Sequence, residues 1–351
     1  NIIGRGEAAP SMRYNESPEK IISVLNNNIK LPEDCSNRTS IWNHIYPQLK
    51  GIKALEAGFS MALWDWWGKK IGKPIFKLLN AKVNKMPLTS YTIAIGNLND
   101  IGPKVEEAEP YAILKVKLGT PNMDKNIINE IRNHTDKLIR VDANEGWESE
   151  NALELCKWLA DRNIEFIEQP FHVRKLDATA KLKKQSPLKI FADENSMCSS
   201  DIEHIKYAFD GINIKLMKCG SIEEGKKMID IAKSYGLKVM LGCMVETSIG
   251  ITSISHLSGE SDVVDLDGNL LINNDPYLGT TINNGHIVLP NANGSGIKLR
   301  NNDVIEIKLR GSNICCHYLI LDTEVVSVTR SCTLTTLNVI THLMEFLSAS
   351  L

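Results

Sequence analysis

The stretch YAILKVKLGT, residues 111–120, is a short apolar run interrupted by two lysines. Ile113, Leu114, Val116 and Leu118 make it a candidate buried strand. Successive strand side chains point to opposite faces, so Lys115 and Lys117 share one face. A Lys-x-Lys pair is most often the solvated face of an edge strand. Lysines inside an otherwise apolar run are rarely buried without a partner or a purpose.

Similar runs recur on both sides of it, at intervals of about 23 to 27 residues, the length of a βα unit. They are LTSYTIAI from Leu88, KLIRVDA from Lys137, IEFIEQ from Ile164, LKIFADE from Leu188, GINIKLM from Gly211, LKVMLGC from Leu237 and DVVDLD from Asp262. With the first stretch they give eight strand candidates separated by seven amphipathic helical stretches. Alternating β and α with buried strands predicts a parallel sheet. Eight units in succession predict an α/β fold of the closed, TIM-like barrel kind, (β/α)7β, with its last helix missing or replaced. The rival, an open doubly wound sheet, carries a Gly-rich phosphate turn after its first strand, and AIGNLND at 94–100 is a poor match.

The barrel is assigned to residues 87–268. Residues 1–86 read as an α+β N-terminal capping domain, with the short strand NIIGRGEA and a helix within Lys50–Leu79. That helix places Ile52, Leu55, Phe59, Ala62, Leu63 and Trp66 at helical spacing, and Gly72 and Pro74 end it. Residues 269–310 are turn-rich, partly hairpin, and are expected to return to the cap. Residues 311–351 are apolar, Thr/Ser-rich and hold three of the eight cysteines; they are assigned to no domain.

The chain has 351 residues, 43% hydrophobic and 23% charged, with a net charge of −2. No basic stripe interleaved with aromatics is present, which argues against nucleic acid as a partner. No apolar run has the length of a membrane span, and the N-terminus shows no signal-peptide pattern. The eight cysteines form no C-x-x-C pair, which points to reduced thiols in a cytoplasmic protein.

Active-site groups of such barrels sit at the C-terminal ends of the strands. Those ends carry Lys115 and Lys117, Asp142 and Asn144, Glu168, Asp193 and Glu194, Lys215, Glu246, and Asp265 with Asp267. Each of Asp142, Glu168 and Asp193 could simply cap a following turn or helix. Three in consecutive units would repel one another unless a cation lay between them, and hard carboxylate oxygens suit Mg²⁺. Lys117 and Lys215, from the second and sixth strands of a ring of eight, would flank that metal from opposite sides. Lys115, a like charge on the same face, disfavours protonation of its neighbour and so supports a general base there. Lys218, three residues after Lys215, is expected to face elsewhere or lie in the loop. Asp265 and Asp267 could receive a cationic group such as an α-ammonium, or could be solvated acids of an Asp-Gly turn.

In this order LKVKLG, RVDANEGW, FIEQP, FADEN, NIKLMKCGS and the helix GFSMALWDWWGKKIGKPIFKLL resemble the enolase superfamily, in its muconate-lactonising subgroup, over roughly residues 3–300. NIKLMK, GCMVETSIG and the Asp265-x-Asp267 pair are most similar to its dipeptide epimerases of the L-Ala-D/L-Glu kind. The resemblance implies Mg²⁺ on Asp142, Glu168 and Asp193, and Lys117 and Lys215 as the paired acid/base catalysts. It further implies Asp265 and Asp267 on the N-terminal ammonium of a dipeptide. The implied reaction inverts the α-carbon of the C-terminal residue by two-base 1,1-proton transfer through an enediolate. A Lys or His base working beside Mg²⁺ that stabilises an enediolate is the chemistry of enolase-type sites, and these residues agree with it. The alternatives are another enzyme of the subgroup (an o-succinylbenzoate synthase, N-acylamino-acid racemase or cycloisomerase) or a truncated non-catalytic relative. The resemblance also implies a homo-oligomer, and cap strands earlier than Asn1, so the capping domain is expected to be truncated at its start. FADEN has Asn195 where the family usually has Ser.

Overall fold

The computed structural model describes residues 2–27, 29–94, 97–120, 122–273 and 275–300, and the backbone strands 319–328 and 331–341. The rest of the 311–351 tail, and residues 301–310 of the returning segment, lie outside the described residues.

The N-terminal segment opens with β1 (Ile3–Ala8), α1 (Pro18–Leu25) and α2 (Arg38–Ile45), and centres on α3 (Lys53–Lys70), followed by the short α4 (Ile75–Leu78). Every residue of α3 from Ala54 to Trp66 is buried, as expected of a helix with apolar residues around most of its circumference. β1 lies hard against it: a Cβ on Gly6 would fall 1.9 Å from the Gly58 carbonyl oxygen, so only glycine fits there. Gly72, with φ 68°, ends the helical region before Pro74.

The eight barrel strands are β2 (Tyr91–Ile93), β3 (Ile113–Lys117), β4 (Leu138–Asp142), β5 (Ile164–Glu168), β6 (Lys189–Ala192), β7 (Gly211–Ile214), β8 (Lys238–Gly242) and β9 (Val263–Asp265). Each lies inside one of the eight runs read from the sequence. They pair in parallel in chain order. A parallel bridge between Thr89 and Val264 brings the last strand back to the first. The helices between them are α5 (Ile101–Glu107), α6 (Asp124–His134), α7 (Ser149–Ala160), α8 (Leu176–Gln185), α9 (Ser199–Ile205), α10 (Leu216–Cys219) with α11 (Ile222–Ser234), and α12 (Ser248–Ser255). The architecture is an α/β, TIM-like (β/α)7β barrel.

The period of two along each strand divides its residues between helix shell and barrel interior. Phe166, Phe191, Met240 and Val263 form a separate buried cluster, and Gly211 leaves room for the Phe191 ring, which a Cβ would approach to 2.4 Å. Two residues further along these strands the side chains turn polar: Glu168, Asp193, Asp265. The apolar layer closes the barrel beneath a polar mouth.

After β9 the chain pairs β10 (Tyr277–Leu278) with β13 (Lys298–Leu299), and β11 (Thr281–Asn283) with β12 (His286–Val288). The β11–β12 turn is Asn284-Gly285, both at positive φ (50° and 80°), the conformation a two-residue hairpin demands. Ser295 then donates from N (2.9 Å) and Oγ (2.8 Å) to the buried Asp65 carboxylate of α3. β14 (Leu319–Val328) and β15 (Ser331–Thr341) form a three-stranded sheet with β1, in the order β1-β14-β15. No helix among the described residues is long and apolar enough to cross a membrane.

Candidate active site

The strand register places Lys117 beside Asp142 and Asp142 beside Glu168 at the C-terminal ends of β3, β4 and β5. Asp193 follows directly after β6. One oxygen from each of Asp142, Glu168 and Asp193 lies within 4.8 Å of the others, and all three residues are buried. Hard, anionic oxygen donors at the ends of three neighbouring strands are a set that fits Mg²⁺.

Four ammonium groups face these acids. Lys117 Nζ donates to Asp142 Oδ2 at 2.7 Å, and Lys215 Nζ to Asp193 Oδ2 at 2.8 Å. Lys115, 2% exposed, donates to Asp265 Oδ2 (2.7 Å) and lies 2.8 Å from Glu168 Oε2 and 3.3 Å from Asp142 Oδ2. Lys218 donates to the Asp193 carboxylate, to the Asp193 carbonyl (2.6 Å) and to the Asn213 carbonyl (2.9 Å). The expectation that Lys218 faces away is therefore corrected. After Lys215 the chain turns into α10, and a residue three positions on returns to the same side.

Burial works against the charges on Asp142 and Asp193. The lysines outweigh it: Lys117 and Lys115 hold Asp142, and Lys215 and Lys218 hold Asp193, well below the usual carboxylate range. The same pairing raises Lys215 and Lys115 in spite of their burial, mainly through Asp193 and Asp265 respectively. Glu168 moves the other way, raised by burial and by Asp142. It accepts a hydrogen bond from Asn213 Nδ2 at 2.6 Å, and a Cβ on Gly242 would lie 2.5 Å from Asn213 Oδ1, so that glycine makes room for the amide.

Asp265 and Asp267 complete the far side of the mouth. Asp265 accepts from Ser90 Oγ (2.6 Å) as well as Lys115; burial opposes its charge, but Lys115 keeps its pKa lowered. Asp267 accepts from the Thr92 backbone N–H at 2.6 Å, and burial with Asp265 pushes it up to about 7. The two acids thus differ: Asp265 is neutralised by Lys115, whereas among the described residues Asp267 accepts a hydrogen bond only from Thr92.

The N-terminal segment reaches the same mouth. Arg13 ion-pairs with Glu145 (2.6 Å) and Glu194 (3.0 Å), on the loops that follow Asp142 and Asp193. Burial and Asp193 push Glu194 up to about 8. Glu7 of β1, fully buried, accepts from Thr247 N (2.9 Å), Thr247 Oγ1 (2.6 Å) and Gly250 N (2.9 Å) at the start of α12. Glu246 beside it is pushed up to about 8 by burial and by Glu7. None of these contacts was predicted from sequence.

A family profile described as Enolase C-terminal domain-like matches residues 103–304. The chain is 40% identical to the L-Ala-D/L-Glu epimerase of Bacteroides thetaiotaomicron, over 84% of this chain and 78% of that protein. It is 36% identical to the L-Ala-D/L-amino acid epimerase of Flavobacterium johnsoniae, over 84% of this chain and 88% of that one. Among solved structures it is similar to the dipeptide epimerase of Cytophaga hutchinsonii complexed with Mg and D-Ala-L-Val, with a TM-score of 0.80 and 26% identity, covering 90% of this chain and 88% of that one. With the barrel, the acidic triad and the flanking lysines already in place, these likenesses settle the family: the chain belongs to the enolase superfamily, and is an isomerase of its racemase and epimerase kind.

Proposed function

We propose that the chain is a Mg²⁺-dependent dipeptide epimerase that inverts the α-carbon of the C-terminal residue of an L-Ala-D/L-Glu-like dipeptide. The observation that carries this reading is the pair of lysines, Lys117 on β3 and Lys215 just after β7, four strands apart in a ring of eight and each hydrogen-bonded to an acid of the buried triad. A proton next to a carboxylate is very weakly acidic, and Mg²⁺ held by Asp142, Glu168 and Asp193 would supply the positive charge that stabilises the carboxylate as that proton leaves.

The remaining roles belong to the chain. One lysine, as amine, takes the α-proton from its face; the other, as ammonium, delivers a proton to the opposite face, and the centre inverts. The roles exchange for the reverse direction, so the site needs one neutral and one charged lysine at a time. Lys115 stays charged within its three carboxylates and holds Glu168 and Asp265 in place. Asp267, whose pKa is pushed to about 7, ionises readily when a substrate ammonium is brought beside it, and Asp265 adds its charge. The apolar layer of Phe166, Phe191, Met240 and Val263 seals the barrel below the reacting centre.

Proton NMR in D₂O with Mg²⁺ and a small dipeptide library tests the reading. The expected result is loss of the α-proton signal of the C-terminal residue for at least one dipeptide with a free amino terminus. Absence of exchange across the library would sink it.

A further inference from the structure

The loops that carry the three acids converge on one side chain that makes no ion pair. Gln169, directly after Glu168, is fully buried. Its amide makes four hydrogen bonds: Oε1 accepts from Asp193 N (2.9 Å) and Asn195 N (3.3 Å), and Nε2 donates to the Phe171 carbonyl (2.9 Å) and Asn195 Oδ1 (2.7 Å). An amide of this kind has two acceptor sites and two donors, so its capacity is filled. The backbone of Gln169 joins the remaining loop: its carbonyl accepts from Glu145 N at 2.8 Å, and its N–H donates to the Phe191 carbonyl at 2.9 Å. One residue thereby ties the loop after Asp142, the strand end at Glu168 and the backbone of Asp193.

Gln169 holds φ 37°, in the left-handed region that costs a residue with a side chain roughly 1–2 kcal/mol. Such a conformation persists only where its surroundings over-determine it. Asn195 extends the tie, with Nδ2 donating to the Val173 carbonyl at 3.2 Å.

We infer that Gln169 is a positioning residue that fixes the spacing of Asp142, Glu168 and Asp193 and thereby makes the site select Mg²⁺ over Ca²⁺. The inference rests on the reading of these acids as a Mg²⁺ site. Mg²⁺ demands near-ideal octahedral geometry at short distances, whereas Ca²⁺ accepts longer and more variable ones. A triad held at the spacing Mg²⁺ needs penalises the longer, more variable bonds of Ca²⁺; a triad released from its tie loses Mg²⁺ affinity and keeps more of its Ca²⁺ affinity.

The test is calorimetric titration of the metal-free full chain with MgCl₂ and with CaCl₂, for the wild type, Gln169→Met and Asn195→Ala. Gln169→Met keeps the volume and removes all four side-chain bonds; Asn195→Ala removes two bonds from the same network and carries the test if the first variant does not fold. The expected result for Gln169→Met is a Mg²⁺ affinity lower by roughly ten- to a hundredfold, as for other outer-shell changes, with a smaller loss for Ca²⁺. Asn195→Ala is expected to shift the ratio in the same direction by less. Mg²⁺ and Ca²⁺ affinities unchanged, or lowered by the same factor in the folded variants, would overturn the inference while leaving the metal site standing. A wild type that binds no Mg²⁺ would overturn both.

Discussion

Replacing Lys115 by Met tests how the buried charges are balanced. Met has nearly the length of the lysine stem, so packing changes little and the effect is electrostatic. Lys115 is 2% exposed, with its ammonium 2.7 Å from Asp265, 2.8 Å from Glu168 and 3.3 Å from Asp142. Asp142 would keep Lys117 at 2.7 Å. Among the described residues, Glu168 and Asp265 would keep only neutral hydrogen-bond donors, Asn213 and Ser90. Removing one partner of a buried ion pair costs about 3–5 kcal/mol, and that is the loss expected near neutral pH in the absence of divalent metal. The stranded carboxylates then have raised pKa values in the folded variant, so they bind protons that the unfolded chain releases. The variant should therefore recover stability as pH falls, and the deficit against wild type should shrink by about pH 5. Mg²⁺ should recover part of it as well, since a cation replaces the missing charge beside Glu168 and Asp142. The assay is urea unfolding followed by circular dichroism, at about pH 8 and about pH 5, in chelator and in Mg²⁺, with the exposed Lys181→Met as control. A loss below about 1 kcal/mol, or one equal at both pH values, would refute the argument that Lys115 is an electrostatic anchor.

Asp267→Asn should raise KM for a dipeptide with a free amino terminus by roughly thirtyfold or more, the factor for about 2 kcal/mol, and leave an N-acylated analogue unaffected; steady-state kinetics on the two substrates checks it. Glu246 has its pKa raised from the ordinary 4.5 to about 8, so the folded chain holds a proton there that the unfolded chain releases above 4.5. Its contribution is full below about 4.5 and is lost as pH rises toward about 8. Glu246→Gln should flatten the fall of Tm across that window, read by thermal unfolding in chelator. An unchanged slope would show that Glu246 does not carry the proton taken up across that window.

The barrel was legible because its signals are local. Each strand announces itself within a few residues by apolar, β-branched side chains, and the repeat of strand and helix fixes the ring. One acid at each of three consecutive strand ends, and a lysine at the end of the strand on either side of them, could be read from position alone once the ring was assumed. What the sequence does not show depends on contacts across long separations. Lys115 anchors through acids on three other strands. Arg13 meets Glu145 and Glu194, and Glu7 meets Thr247, only once the N-terminal segment has folded onto the barrel, 132 to 240 residues away. Lys218 was a failure of a different kind: its side is set by the helical turn between it and Lys215, which a strand-by-strand reading ends too early. Gln169 carried no signal, because its left-handed backbone is not marked by the Gly or Asn that usually betrays one.

The central claim is that Lys117 and Lys215 work on opposite faces of one carbon. Its most direct test is to present L- and D-configured C-terminal residues separately to Lys117→Met and Lys215→Met in D₂O with Mg²⁺, following both α-proton exchange and interconversion by NMR. The account predicts that neither variant interconverts the stereoisomers and that at least one still exchanges the α-proton of a single stereoisomer. Full epimerisation by both variants would contradict it.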